Sequence, residues 1–195
     1  MFKQARPAIV SMLLFSAILG GAYPAFVTLA GGAIFPSQAE GSFVRNSEGT
    51  IVGSRLIGQI TTGPQYLWPR PSAAGDGYNG AGSSGSNLGP LNSDLIDRVA
   101  ADADGVRSYA PDGVIPPDAV TTSGSGLDPE ISPEFAALQV ARIAQARDIE
   151  PSAVQAAIAA NTALPLLGFI GQPRVNVLMT NLALDSVQPP APATE

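Results

Sequence analysis

The side chains able to do chemistry in this sequence of 195 residues are carboxylates, hydroxyls and arginines, because it holds no Cys and no His. That inventory excludes a thiol nucleophile, a Ser-His-Asp relay, a disulfide and a zinc site built on nitrogen and sulfur. Asp128 and Glu130 flank Pro129, and Asp102 stands two residues before Asp104. Two acids facing one cleft would serve glycoside hydrolysis, and alternating oxygen ligands closed by an acid would make a calcium loop. Neither pattern is complete, so these acids read as solvated groups at helix ends, with Asp102 and Asp104 following a helix. Three glycine-rich stretches invite comparison with a phosphate cradle: Gly82-Ser83-Ser84-Gly85-Ser86-Asn87, Ser123-Gly124-Ser125-Gly126 and residues 75–80. A Walker loop needs a Lys ahead of a helix, and Lys3 is the only Lys in the chain, so the glycines read as turns with positive φ. Neither a catalytic residue nor a metal ligand is assigned.

Charge is placed unevenly. Lys3 and Arg6 open the chain, residues 7–39 carry no charge, and residues 40–195 hold eight Arg against all sixteen acids. With a formal net charge of −6 and scattered cations, the chain lacks the basic face that nucleic acid requires.

Residues 8–30 run as one apolar stretch, roughly 34 Å long as a helix and sufficient for a hydrocarbon core of about 30 Å. A cleaved leader ending near Gly20-Gly21-Ala22 is disfavoured, since hydrophobicity continues through Phe26, Val27, Leu29, Ile34 and Phe35. Pro24 removes one helical hydrogen bond and predicts a kink. The cations at one end place residues 1–7 in the cytoplasm, residues 8–30 in an inner (plasma) membrane crossed once, and residues 31–187 outside it. Residues 188–195, rich in Pro, read as a frayed tail. Ala17, Gly21 and Ala25 recur every fourth position and offer a face where another helix could approach closely, although Gly and Ala are also simply common in membrane helices.

The exported part reads as a small mixed domain, α/β or α+β. Residues 50–57 predict a short strand rich in β-branched residues. Residues 61–90 are half Gly, Pro and Ser, yet Tyr66, Trp68 and Tyr78 are interleaved with Arg70, Asn79 and Asn87, which argues for an ordered irregular loop rather than a spacer. A helix capped by Asn92 or Ser93 follows, with Leu95, Ile96 and Val99 as its apolar stripe. Ser132, Pro133 and Glu134 start a helix continuing through 135–147, with Val140, Ile143 and Ala144 on one side. Pro151 opens another helix to about Asn161, and residues 174–179 predict either a strand or the first turn of a helix to Asp185.

Specific strings go further. Arg6-Pro7, Tyr23-Pro24, Gly53-Ser54-Arg55-Leu56-Ile57-Gly58-Gln59, Trp68-Pro69-Arg70-Pro71-Ser72-Ala73, Tyr78-Asn79 and Gly85-Ser86-Asn87-Leu88-Gly89-Pro90 occur in order. They are followed by residues 120–129, Ile131-Ser132-Pro133, and Arg174-Val175-Asn176-Val177-Leu178 with residues 181–185. In these blocks the chain resembles the KdpC family, the C subunit of the bacterial Kdp potassium-transporting P-type ATPase, nearly end to end. The family usually carries a second Gly where this chain has Ser84, and a His where it has Glu130.

The resemblance implies a non-catalytic partner in a four-part pump. The other parts are a channel-like potassium-binding subunit, an ATP-hydrolysing P-type subunit and a small single-helix subunit. It implies a catalytic chaperone that raises the ATP affinity of the P-type subunit, within a complex that uses ATP and K+. Family descriptions include ATP binding, but an exported domain cannot reach cytoplasmic ATP across about 30 Å of hydrocarbon, so no cofactor is assigned to this chain. Contacts are expected through membrane lipid and the Ala17, Gly21, Ala25 face, and through the exported loops at Trp68, Arg70, Tyr78, Asn87 and Asp128. The rival reading is an anchored exported hydrolase or binding protein acting alone, which would need its own cleft with converging polar groups.

Overall fold

The computed structural model describes residues 2–46 and 48–187, so the tail expected to fray, 188–195, lies outside the described residues. The chain divides into two units, Met1–Phe43 and Val44–Glu195.

The first unit is a helix that continues from Ala5 to Ile34, uncharged after Arg6 and with none of its core side chains buried. At about 1.5 Å per residue its 30 residues span about 45 Å, longer at both ends than the apolar stretch 8–30. It comprises α1 (Ala5–Ala17), a π-helical turn (Ile18–Ala22) and α2 (Tyr23–Ile34). The π turn is the local answer to Pro24. That residue has no N–H to offer the preceding turn, and the Tyr23 N–H bonds to the Ile18 carbonyl five residues back. Pro36 then starts the short α3 (Pro36–Ala39).

The second unit begins with the two-stranded pair β1 (Phe43–Arg45) and β2 (Ile51–Ser54). The strand expected over 50–57 is therefore shorter, ending in a turn closed by a bridge between Ser54 and Ile57. After the long loop comes α4 (Ser93–Arg107), whose Asn92 cap accepts a hydrogen bond from the Asp94 N–H. Asp102 and Asp104 lie inside this helix rather than after it. Its expected apolar stripe does not face the core either: Val106 is its buried residue, whereas Ile96 is exposed and Leu95 and Val99 are half-buried.

The rest builds the core. β3 (Glu130–Ile131), β4 (Thr162–Ala163) and β5 (Arg174–Asn176) form an antiparallel sheet in the order β3-β5-β4, with Ile131 opposite Val175 and Ala163 opposite Arg174. Around it stand α5 (Pro133–Leu138), α6 (Val140–Arg147), α7 (Pro151–Ala160) and α8 (Val177–Val187). Residues 174–179 thus supply both alternatives, a strand that turns directly into a helix. Phe135, Val140, Ile143, Val154, Ile158, Val175 and Leu184 are buried together with Leu67, which the loop delivers. Each such side chain contributes about 1.5–3 kcal/mol on burial.

The helix expected to run unbroken through 135–147 is two helices. Gln139 separates them with φ −90° and ψ −11°, and its side chain is wholly buried. The Ser132 cap holds as read: its hydroxyl accepts from the Phe135 N–H and donates to Asp118, which also accepts from the Ser132 N–H.

Candidate functional site

The loop 61–90 is held by side chains of the helices, which supply the hydrogen bonds a sheet would otherwise give. The buried Asn181 of α8 accepts from the Leu67 N–H at 2.7 Å and donates to the Leu67 carbonyl at 2.9 Å. Gln139 does the same for Trp68, at 2.8 and 3.2 Å. Arg142 donates to the carbonyls of Pro64 and Tyr66 and to the Gln139 amide oxygen, while Arg147 donates to the Gln65 carbonyl and to Asp185. An irregular segment can run against a core only if its peptide groups are paired in this way.

Aromatic contacts finish the clamp. The Arg142 guanidinium lies 3.5 Å from the centre of the Trp68 ring, and Tyr109 meets that ring edge-on at 5.5 Å. Burial pulls the Arg142 guanidinium down to about 10, and raises the Tyr109 phenol above its ordinary value.

A second cluster joins the two glycine-bearing loops. Arg70 pairs with Asp128 at 3.0 Å and donates to the carbonyls of Thr121 and Thr122 and to the Thr121 hydroxyl. The Tyr78 hydroxyl donates to the Arg70 carbonyl at 2.8 Å, and the Ser72 hydroxyl donates to the Gly126 carbonyl while accepting from the N–H groups of Ala74 and Tyr78. Burial, reinforced by the Asp128 charge, pushes the Tyr78 phenol well above its ordinary range. Gly58 is pinned beneath: a Cβ there would stand 2.5 Å from both the Asp128 carbonyl oxygen and the Tyr78 ring. Gly126 combines φ +65° with a site where a Cβ would meet Ala74 and the Ser84 carbonyl, each at 2.7 Å.

Of the loop residues singled out in the sequence, Trp68, Arg70, Tyr78 and Asp128 fall into these adjoining clusters. Asn87 does not; it is exposed, and its φ of 53° is a backbone state that Asn tolerates. On the apolar helix, Gly21 lies within the π turn with open space where a Cβ would stand, and Ala17 and Ala25 flank that turn. The glycine stretches are only partly positive-φ turns: Gly75, Gly77 and Gly126 are, whereas Gly80, Gly82, Gly85 and Gly124 are not.

Asp104 is, as read, an exposed acid in the last turn of α4, beside Arg107, whereas Asp128 and Glu130 are structural rather than solvated helix-end groups, a correction that distance in the chain explains. Asp128 pairs with Arg70, fifty-eight residues away, and Glu130 with Arg174 across the sheet at 2.8 Å. Glu130 is thus half of an ion pair. Ser84 points its hydroxyl at the Gly85 carbonyl, and its N–H donates to the Ser125 carbonyl. Asp118, Asp128, Glu130 and Glu134 line a cavity of about 540 Å³ together with Arg70. Among the described residues no three acids are grouped so as to hold a metal ion.

Sequence reasoning missed Gln139, Asn181, Arg142 and Arg147 as the clamp. The available signal was uncompensated polarity: a Gln and an Arg interrupt the apolar side of a helix read as continuous.

The sequence that folds in this way matches known proteins over nearly its whole length. The family model described as the K+-transporting ATPase c chain, KdpC, matches residues 5–186. The chain belongs to the KdpC family. A protein of Caulobacter sp. (strain K31) named as the potassium-transporting ATPase KdpC subunit is 58% identical over 186 residues, covering 95% of each chain. Similar KdpC subunits occur in Caulobacter vibrioides, 55% identical over 97% of this chain and 96% of the relative, and in Beijerinckia indica, 52% identical over 98% and 100%. The KdpC match includes both units, so the apolar helix and the domain that follows it belong together in the family.

Proposed function

We propose that this chain is the accessory, non-catalytic subunit of an ATP-driven potassium-import complex. Its partners are the channel-like potassium-binding subunit, the ATP-hydrolysing P-type subunit and the small single-helix subunit. There it stabilises the assembly and acts as a catalytic chaperone that raises the ATP affinity of the P-type subunit. The KdpC match over residues 5–186 carries this reading.

The chain crosses an inner (plasma) membrane once, with Lys3 and Arg6 cytoplasmic and residues 31–187 outside. The concentration of early cations at one end of the helix supports that orientation. ATP and K+ belong to the partners. A nucleotide does not suit the residues present. Four carboxylates against one arginine line the cavity at Asp128, and that arginine is committed to Asp128 and the Thr121–Thr122 backbone. A triphosphate would meet repulsion there.

The subunit then acts by binding one conformation of the pump better than another, because only differential contact shifts such an equilibrium. Contacts run through the Ala17, Gly21, Ala25 face and the loops bearing Trp68, Arg70, Tyr78, Asn87 and Asp128.

The test is ATP hydrolysis by the purified pump with and without this chain, across a range of ATP concentrations. Half-saturating ATP falls when the chain is present; identical curves would overturn the chaperone reading. Gly21→Leu, which fills the helix face, lowers co-purification of the other subunits, and unchanged recovery would count against that contact. Because the chain has no Cys, Ser84→Cys gives a unique thiol that an impermeant maleimide labels in intact cells if the domain is external. Protection until lysis would reverse the orientation.

A further inference from the structure

The segment joining β4 to β5 is a hairpin tip made of apolar side chains. Ala163 and Arg174 are the last paired residues of the ladder, and residues 164–171 read Leu-Pro-Leu-Leu-Gly-Phe-Ile-Gly. Leu164, Leu166, Leu167 and Phe169 are 75%, 67%, 76% and 76% exposed, and Ile170 is 49% exposed. No charge occurs in the sequence between Glu150 and Arg174. Burying even part of such side chains is favourable by about 25 cal/mol per Å², so a continuous tip of this kind is a contact surface rather than scattered exposure.

Its backbone is closed on itself. Leu166 and Ile170 exchange both N–H to carbonyl bonds at 2.9 Å, the Gly168 N–H donates to the Pro165 carbonyl, and the Phe169 N–H donates to the Leu166 carbonyl. Leu167 and Gly168 turn the chain with φ of 55° and 81°. Irregular backbone is costly in hydrocarbon unless its polar groups are paired, and here the Leu167 N–H and the carbonyls of Leu167, Gly168 and Phe169 take no such bond, which suits the hydrated interfacial layer rather than the bilayer centre.

We propose that this tip inserts into the interfacial layer of the bilayer, giving the soluble domain a second membrane contact besides the helix Ala5–Ile34. Two features select lipid over a protein partner. Residues 163–171 offer no polar side chain, whereas protein interfaces use about one hydrogen bond per 100–200 Å². Hydrocarbon asks for none. The same chain also carries a helix long and apolar enough to cross a membrane, and only residues 35–42 separate it from the first strand, so the domain is tethered by a short segment to any bilayer that the helix crosses. The Arg174–Glu130 pair at the base of the hairpin supplies the polar border at which insertion stops.

The cysteine-free sequence permits a clean test. Full-length chains carrying Leu167→Cys or, as reference, Val114→Cys are labelled with an environment-sensitive fluorophore and reconstituted in phosphatidylcholine vesicles. Val114 is also an exposed apolar residue, at 90%. Emission from the label at 167 shifts to the blue and is quenched by lipids brominated on the acyl chain near the headgroup, while the label at 114 does neither. Adding Phe169→Asp to the Leu167→Cys chain abolishes the shift, with circular dichroism unchanged. Water-like emission at 167 would overturn the proposal. So would protection that appears only with the other pump subunits, which assigns the tip to a protein partner, or protection lost on diluting the protein in lipid, which assigns it to a second copy.

Discussion

Replacing Asn181 by Ala removes both hydrogen bonds that hold Leu67, at 2.7 and 2.9 Å, while leaving the Leu67 N–H and carbonyl in a place where the residue has no exposure to water. Each buried polar group left unpaired costs about 1–3 kcal/mol, so the variant loses about 2–6 kcal/mol, less whatever relaxation of the loop returns. Leu67 belongs to the core, so that relaxation must also withdraw an apolar side chain worth about 1.5–3 kcal/mol and cannot be free. Trp68, the only Trp in the sequence, adjoins the broken bonds and reports the transition by fluorescence. Urea unfolding of the full-length chain in detergent therefore shows a midpoint lowered by about 1 M or more, at slopes of about 1–3 kcal/mol per M. Ser83→Ala, which removes an exposed hydroxyl bond to the Ser125 carbonyl, changes the unfolding free energy by less than about 0.5 kcal/mol. Equal midpoints for Asn181→Ala and Ser83→Ala would refute the idea that the helices hold the loop.

Three further outcomes follow from the same geometry. The Tyr78 phenol has a folded value raised above its unfolded one, so its contribution to stability is fully present below pH about 10 and is lost as the pH climbs through the folded value. Unfolding midpoints fall above pH about 10, Tyr78→Phe flattens that fall, and phenolate absorbance shows Tyr78 ionising only with unfolding. A phenolate signal from native Tyr78 near pH 10 would contradict it. Gly58→Ala costs about 2 kcal/mol or more, because the new Cβ meets a backbone carbonyl that cannot swing aside, whereas Gly80→Ala, with open space around it, is nearly neutral; thermal melts separate them. Arg147→Ala strands the Gln65 carbonyl and leaves Asp185, a third exposed, to water, and costs about 1–3 kcal/mol; a melt within a degree of the parent would show the pair to be dispensable.

Features governed by neighbours in the chain were legible in the sequence. The apolar run, the Asn92 and Ser132 caps and the prolines at 133 and 151 each act within about one helical turn, so residue type and spacing suffice. Pro24 showed that the membrane helix must adjust, but not that it does so by a π turn. The clusters were legible only as residue types. Trp68, Arg70, Tyr78 and Asp128 stood out as an aromatic or charged minority in the glycine-bearing loops and their flanks; Tyr78 bonds within its own loop, while Gln139 for Trp68, and Arg70 and Asp128 for one another, lie far apart along the chain.

What the sequence by itself determined is therefore the mixed fold class, a helix fit to cross a membrane, the caps, and the family blocks. Tertiary structure alone decided that Gln139 breaks a helix in order to hold Trp68, that Asn181 holds Leu67, and that Glu130 is half of an ion pair. It also turned Ile96 outward and gathered the leucines of 164–170 into an exposed tip. The reason is that hydrogen bonds and burial between segments more than forty residues apart depend on how the chain closes, and no local periodicity encodes that closure.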